Sequence, residues 1–178
     1  MNKKQTTSNK QNKNLKQTIF SFCAILLGFI ASLFALFNIF DFALGPNKIA
    51  VEDYFGFFSE GETLDLQRVT YALFKEEYNP AFKTIAGVFA VIVLLTTIIY
   101  FATLLLKTKN NNIIKTLKLS LSIIMIVCGV IIAISLIIFV SINSIPKQIA
   151  ISCNVFGAIA VTIFPVIAGI CGLLAERK

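Results

Sequence analysis

Four long runs of this chain carry no charged residue: 17–40, 84–106, 119–146 and 148–175. Within each run the apolar positions are continuous rather than alternating. The strands of a membrane β-barrel alternate lipid-facing and lumen-facing residues, so continuity argues for helices. A helix crosses about 30 Å of hydrocarbon in about 20 residues, and all four runs reach that length. Backbone groups in lipid must bond within their own segment, which again selects helix. The pattern predicts an all-α polytopic membrane protein, a four-transmembrane-helix bundle. Its expected spans are 18–40, 84–106, 119–140 and 149–175.

The connecting segments differ in character. Residues 1–17 hold Lys3, Lys4, Lys10, Lys13 and Lys16 among Asn, Gln, Ser and Thr, with nothing apolar before Leu15 apart from Met1. Such a composition has no apolar surface to bury, which predicts a disordered basic tail before a membrane domain over 18–178. Its lysines also suit anionic lipid, at about 1 kcal/mol each near the surface. The loop at 41–83 is richer. Asp53, Tyr54, Phe55, Gly56, Phe57 and Phe58 cluster four aromatics around one glycine. Over 64–78, Leu66, Val69, Leu73 and Phe74 fall on one helical face, opposite Asp65, Arg68, Lys75 and Glu76. This spacing predicts a short amphipathic helix in the first outer loop, ended at Asn79-Pro80, since the residue before proline avoids helical backbone.

Charge then sets direction. Basic residues near the spans favour the cytoplasmic side. The tail, the 107–118 linker and the C-terminus together hold eleven, against five in 41–83 and at Lys147. Both termini are therefore expected to be cytoplasmic, in a multi-pass protein of the cell membrane. Eight of the nine acidic residues lie within 41–77, on the opposite side. The first span is expected to be retained, because its apolar part exceeds the ~7–15 residues of a signal h-region.

Small residues mark helix-packing seams, since helices in lipid associate by close packing. Ser21, Ala24, Gly28, Ala31, Ala35 and Asn38 step by three and four along the first span. Ala150, Cys153, Gly157, Ala160, Phe164, Ala168, Cys171 and Ala175 do so along the fourth. Pro165 removes a backbone donor in mid-span. At the outer boundary, Asp41, Lys83, Lys147 and Asn154 are expected to share one depth as a polar rim, with Asn38 beside Asn154.

Composition narrows the chemistry. Only 14% of residues are charged, against about 25% in soluble domains, and mean hydropathy is +0.83. There is no histidine, the usual proton shuttle and metal ligand. All four cysteines, Cys23, Cys128, Cys153 and Cys171, sit in apolar runs, so they read as packing residues rather than loop disulfides. No cofactor, metal site, nucleic-acid interface or catalytic grouping is predicted. Abundant Lys, Asn, Ile and Phe without Trp suggest A/T-rich coding and a bacterial source. The layout resembles that of claudin-like tetraspan proteins in topology, without that family's tryptophan and paired loop cysteines. The expectation is a non-catalytic accessory or interaction subunit of a membrane complex, with a membrane-protein partner or a second copy of itself. The alternative is a small oligomeric transporter or channel component.

Overall fold

The structure, a computed structural model, describes residues 3–44, 49–57, 79, 81–105, 111–143 and 149–177. Within them lie four helices: α1 (Lys3–Leu36), α2 (Ala81–Leu105), α3 (Asn111–Asn143) and α4 (Val155–Glu176). Each contains a stretch long and apolar enough to cross a membrane. At about 1.5 Å per residue, even α4 with its 22 residues spans roughly 33 Å. The helices form a ring in which α1 packs on α2 and α4, and α3 packs on α2 and α4. All four neighbouring pairs are antiparallel.

The surface of this bundle is inverted relative to a water-soluble one. Leu26, Leu33, Val88, Val91, Leu95, Val130, Ile134 and Ile163 point outwards, while Ser21, Ser32, Thr97, Ser122 and Ser135 are buried. A soluble surface helix turns its polar face out. Three of these interior hydroxyls are satisfied within their own helices: those of Ser32, Thr97 and Ser122 donate to Gly28, Val93 and Lys118 carbonyls at 2.8 Å each. Being small, they let the backbones approach.

A three-stranded antiparallel sheet closes one end, with β1 (Asn38–Leu44) between β2 (Ile49–Gly56) and β3 (Ile149–Cys153). The sheet lies beyond what unbroken apolar runs reveal. Residues 38–44 and 149–153 fall inside or next to those runs, yet they are strand. The first expected span therefore stops at Leu36 rather than 40, and the fourth helix begins at Val155 rather than 149. Two local causes act. Alternating Phe40, Phe42 and Leu44, with the weak helix formers Asn38 before them and Asp41 among them, suit a strand. Asn154 is a strong helix starter, and its side-chain oxygen accepts from the Phe156 amide at 3.0 Å. The central helices instead extend beyond expectation, α2 beginning at Ala81 and α3 covering 111–143.

Helix α1 also reaches back to Lys3, where the composition predicts a disordered tail. Lys and Gln are good helix formers, and extending an existing helix needs no new nucleus. The predicted amphipathic helix over 64–78 lies outside the described residues, as do Phe58 and Lys147. Asp53, Tyr54, Phe55 and Gly56 of the aromatic cluster belong to β2.

Strands β1 and β3 continue the α1–α4 pair. Only Phe37 separates α1 from β1, and only Asn154 separates β3 from α4. Their ladder runs from Phe40 opposite Cys153 to Leu44 opposite Ile149. Phe40 is fully buried and packs against two rings, Phe139 tilted at 4.9 Å and Phe57 edge-to-face at 5.8 Å between centroids. These three side chains seat the sheet on the bundle. Beside them, Asn143 at the end of α3 accepts from the Asn79 amide at 2.7 Å and donates to its carbonyl at 3.1 Å. Asn79 in turn caps α2 through the Ala81 amide at 3.0 Å.

Candidate functional site: a two-layer polar plug

The opposite end of the bundle carries the densest buried polar chemistry among the described residues. Each helix contributes to two layers one turn apart. Gln17, Thr103, Lys118 and Glu176 form the end layer. Ser21, Tyr100, Ser122 and Gly172 form the layer beneath it.

The register of α3 against α4 explains the layers. In an antiparallel pair, a turn forward on one helix meets a turn backward on the other. Gly129 faces Thr162, Pro165 and Val166; Gly169 faces Ser122 and Ile126; Gly172 faces Ser122. A Cβ at position 129 would lie 2.8 Å from the Thr162 carbonyl oxygen, and one at 169 or 172 would collide with Ser122 outright. The same register brings Lys118 to Glu176.

That ion pair is the centre of the end layer. Lys118 Nζ lies 3.3 Å from Glu176 Oε1, and both residues are only 9% exposed. Gln17 Nε2 of α1 donates to the same oxygen at 3.3 Å. Glu176 is the last residue of α4, where the helix's own carbonyls place partial negative charge. Lys118 offsets both that charge and the carboxylate. A buried carboxylate without a partner is costly enough to be rare, so the pair explains why Glu176 is tolerated there.

Beneath the pair, Tyr100 is fully buried, with its ring against Gly172 and its hydroxyl beside Ser21. Thr103, one turn outward, donates to the Tyr100 carbonyl at 2.6 Å. Ala24, Ile25, Leu121, Met125 and Ala168 pack under this layer and separate it from the rest of the bundle. What the arrangement can do chemically is limited: it holds charge and hydrogen bonds between four helices at one end. Among the described residues no three His, Cys, Asp or Glu side chains are grouped to hold a metal.

The residues singled out from sequence are distributed as follows. Ser21, Ala24, Gly28, Ala31 and Ala35 are all buried along α1. Gly28 lies against Thr97 of α2, whose side chain occupies the space a Cβ would need. Gly157, Ala160 and Ala168 are buried along α4. Asn38 and Cys153 leave the helical seams, because both are in strands; Cys153 is half-buried. Ala150 likewise lies in β3. At the sheet end, Asp41 pairs with Ser152 in the backbone ladder, and Lys83 is buried in the first turn of α2. Asn154 is exposed and its oxygen caps its own helix. The ladder register brings the backbone of Asn38 to the same end of β1–β3 as Asn154.

The polar plug itself escapes a run-by-run reading. Its signal is a single residue: Glu176 is the one acidic side chain outside 41–77, and it closes the last apolar run. An acid there needs a basic partner, and Lys118 is the residue that opens the third run. Comparison with models of known protein families gives no match for this chain, and comparison with curated proteins gives none either.

Proposed function

We propose that this chain is an integral, multi-pass protein of the cell membrane with both termini on the cytoplasmic side, acting as a non-catalytic accessory subunit of a membrane complex. The outward Leu, Ile, Val and Phe faces favour lipid as the surrounding medium. The excess of Lys and Arg at the polar-plug side favours that side as cytoplasmic. The short amphipathic helix at 64–78 belongs to this proposal as a cap on the outer side, and the N-terminal lysines as a contact for anionic lipid.

One observation carries the accessory reading over a transporter. The bundle interior is filled from within the chain, with Tyr100, Met125, Thr97 and Phe139 fully buried along it and the space beside Gly28 and Gly172 closed by the Thr97 and Ser122 side chains. A solute path within one protomer needs space that these residues occupy. The seams are likewise spent on the chain's own bundle, so a partner would meet the outward faces or the 41–83 loop. The test is purification from native membranes beside reconstitution into liposomes. A partner recovered in fixed ratio, with no solute flux above empty vesicles, is the expected result. Flux from the purified chain alone would replace this reading with the transporter one. Orientation is tested separately, by reagent access to a cysteine placed at Arg177 in sealed cells, with no labelling expected from outside.

A further inference from the structure

Two hydroxyls in the lower layer of the plug, Ser21 Oγ and Tyr100 Oη, are buried side by side, close enough to interact with each other, yet neither makes a well-formed hydrogen bond among the described residues. Ser21 is 3% exposed and Tyr100 0%. They are neighbours, and Glu176 lies one helical turn beyond Gly172, whose backbone faces the Tyr100 ring, while it bonds Gln17, one turn before Ser21. The carboxylate's Oε1 already receives Gln17 and Lys118.

We propose that Ser21, Tyr100 and Glu176 form a binding site for one buried water molecule, bridging α1, α2 and α4 beneath the Lys118–Glu176 pair. The inference does not depend on the accessory reading. Buried polar side chains nearly always have a partner in protein or ordered water. A direct Ser21–Tyr100 bond falls short of this, because one hydroxyl donates and the other's proton still lacks an acceptor. Water has two protons and two lone pairs. It can accept from Tyr100, donate to Glu176, and exchange a bond with Ser21.

The surroundings decide against other occupants. A metal cation is disfavoured because Lys118 already neutralises the carboxylate at 3.3 Å. An anion is disfavoured by Glu176 itself. A larger organic ligand has no room on the α4 side, where a Cβ at Gly172 would meet Ser122 Oγ and lie 3.4 Å from the Tyr100 ring. The site also has a reason to exist. It links the end ion pair to the hydroxyl layer, so that Glu176 is tied to all three other helices, through Gln17, Lys118 and the bridged Tyr100.

The experiment uses the full chain in lipid nanodiscs with isotope-labelled tyrosine. Magnetisation transfer from long-lived bound water to the Tyr100 ring is measured, with the resonance assigned by Tyr100→Phe. The expected result is transfer to Tyr100 in the native chain, reduced in Ser21→Ala. Both variants lower Tm by about 3 °C, and the double variant by little more, as groups sharing one bridge behave. A Tyr100→Phe chain as stable as the native one, or more so, overturns the site, because it means a hydroxyl without a partner was removed. Lost stability with no water transfer also overturns it, in favour of a direct Ser21–Tyr100 bond. The transfer measurement on the native chain stands even if Ser21→Ala fails to fold.

Discussion

Removing one member of the Lys118–Glu176 pair should be far more damaging than removing both. At 3.3 Å, two unit charges attract by about 5 kcal/mol at an effective dielectric of 20. Taking each ion out of water costs several kcal/mol, so the net worth of the intact pair is small. Glu176→Ala upsets that balance. It strands the Lys118 ammonium about two turns inside the end of α3, where the side chain is 11% exposed. An uncompensated buried charge costs about 3–5 kcal/mol. For a chain of 178 residues this corresponds to a fall in Tm of about 10 °C. Lys118→Met/Glu176→Leu removes both charges and keeps the volume, and should lie within about 1 kcal/mol of the native chain. The assay is unfolding in mixed detergent micelles followed by far-UV ellipticity, since the chain has no tryptophan to report by fluorescence. Raising salt should leave the difference unchanged, because buried pairs are weakly screened. A Glu176→Ala cost below about 1 kcal/mol, or a double variant as damaged as the two singles added together, would refute the argument.

Three further outcomes follow from the packing. Gly28→Leu forces a side chain into the position of Thr97, and should separate α1 from α2 at a cost of about 1–3 kcal/mol, read in the same unfolding assay, while Val88→Leu on the outward face of α2 changes stability by less than about 0.5 kcal/mol. Phe40→Ala empties the site between Phe57 and Phe139 and should cost about 3–5 kcal/mol, with backbone hydrogen exchange of β1 and β3 rising first. Asn143→Ala leaves the Asn79 amide and carbonyl without that partner; a loss of about 1–3 kcal/mol and faster protease cleavage before α2 are expected, whereas Asn143→Asp keeps the acceptor and loses less.

The helices were legible because lipid-length apolar runs have few alternative structures. The small-residue spacing in α1 was legible for the same reason: steps of three and four place Ala24, Gly28, Ala31 and Ala35 on one line whatever they meet. The sheet was not. Residues 38–40 and 149–153 lie inside the charge-free runs, so a run-by-run reading merges them with the helices, and only the Phe40, Phe42, Leu44 alternation around Asp41 and the Asn154 cap separate them. Asn38 fits the helical stripe of α1 numerically but lies past the helix end, which shows that spacing carries no information once the backbone changes period. The plug was hidden for another reason. Lys118 and Glu176 both sit at run ends, where charges ordinarily reach water, and only the α3–α4 register turns them inward. Asn143 was equally silent, since its partner is backbone rather than a side chain.

The pairing of α1 with α4, and of β1 with β3, has a consequence for biosynthesis. Gln17 and Glu176 touch across 159 positions of sequence, so the first helix made waits for the last one before its ring can close. During that interval the seam of α1 facing α4 and the β1 edge facing β3 have no mate within the nascent chain. Contacts this distant form slowly, and an unpaired strand edge invites the wrong neighbour. The α2–α3 hairpin, whose contacts are local, can assemble meanwhile as a platform. Synthesis of α4 is then the committing event, because it supplies the last wall of the bundle, the third strand and the carboxylate of the plug together.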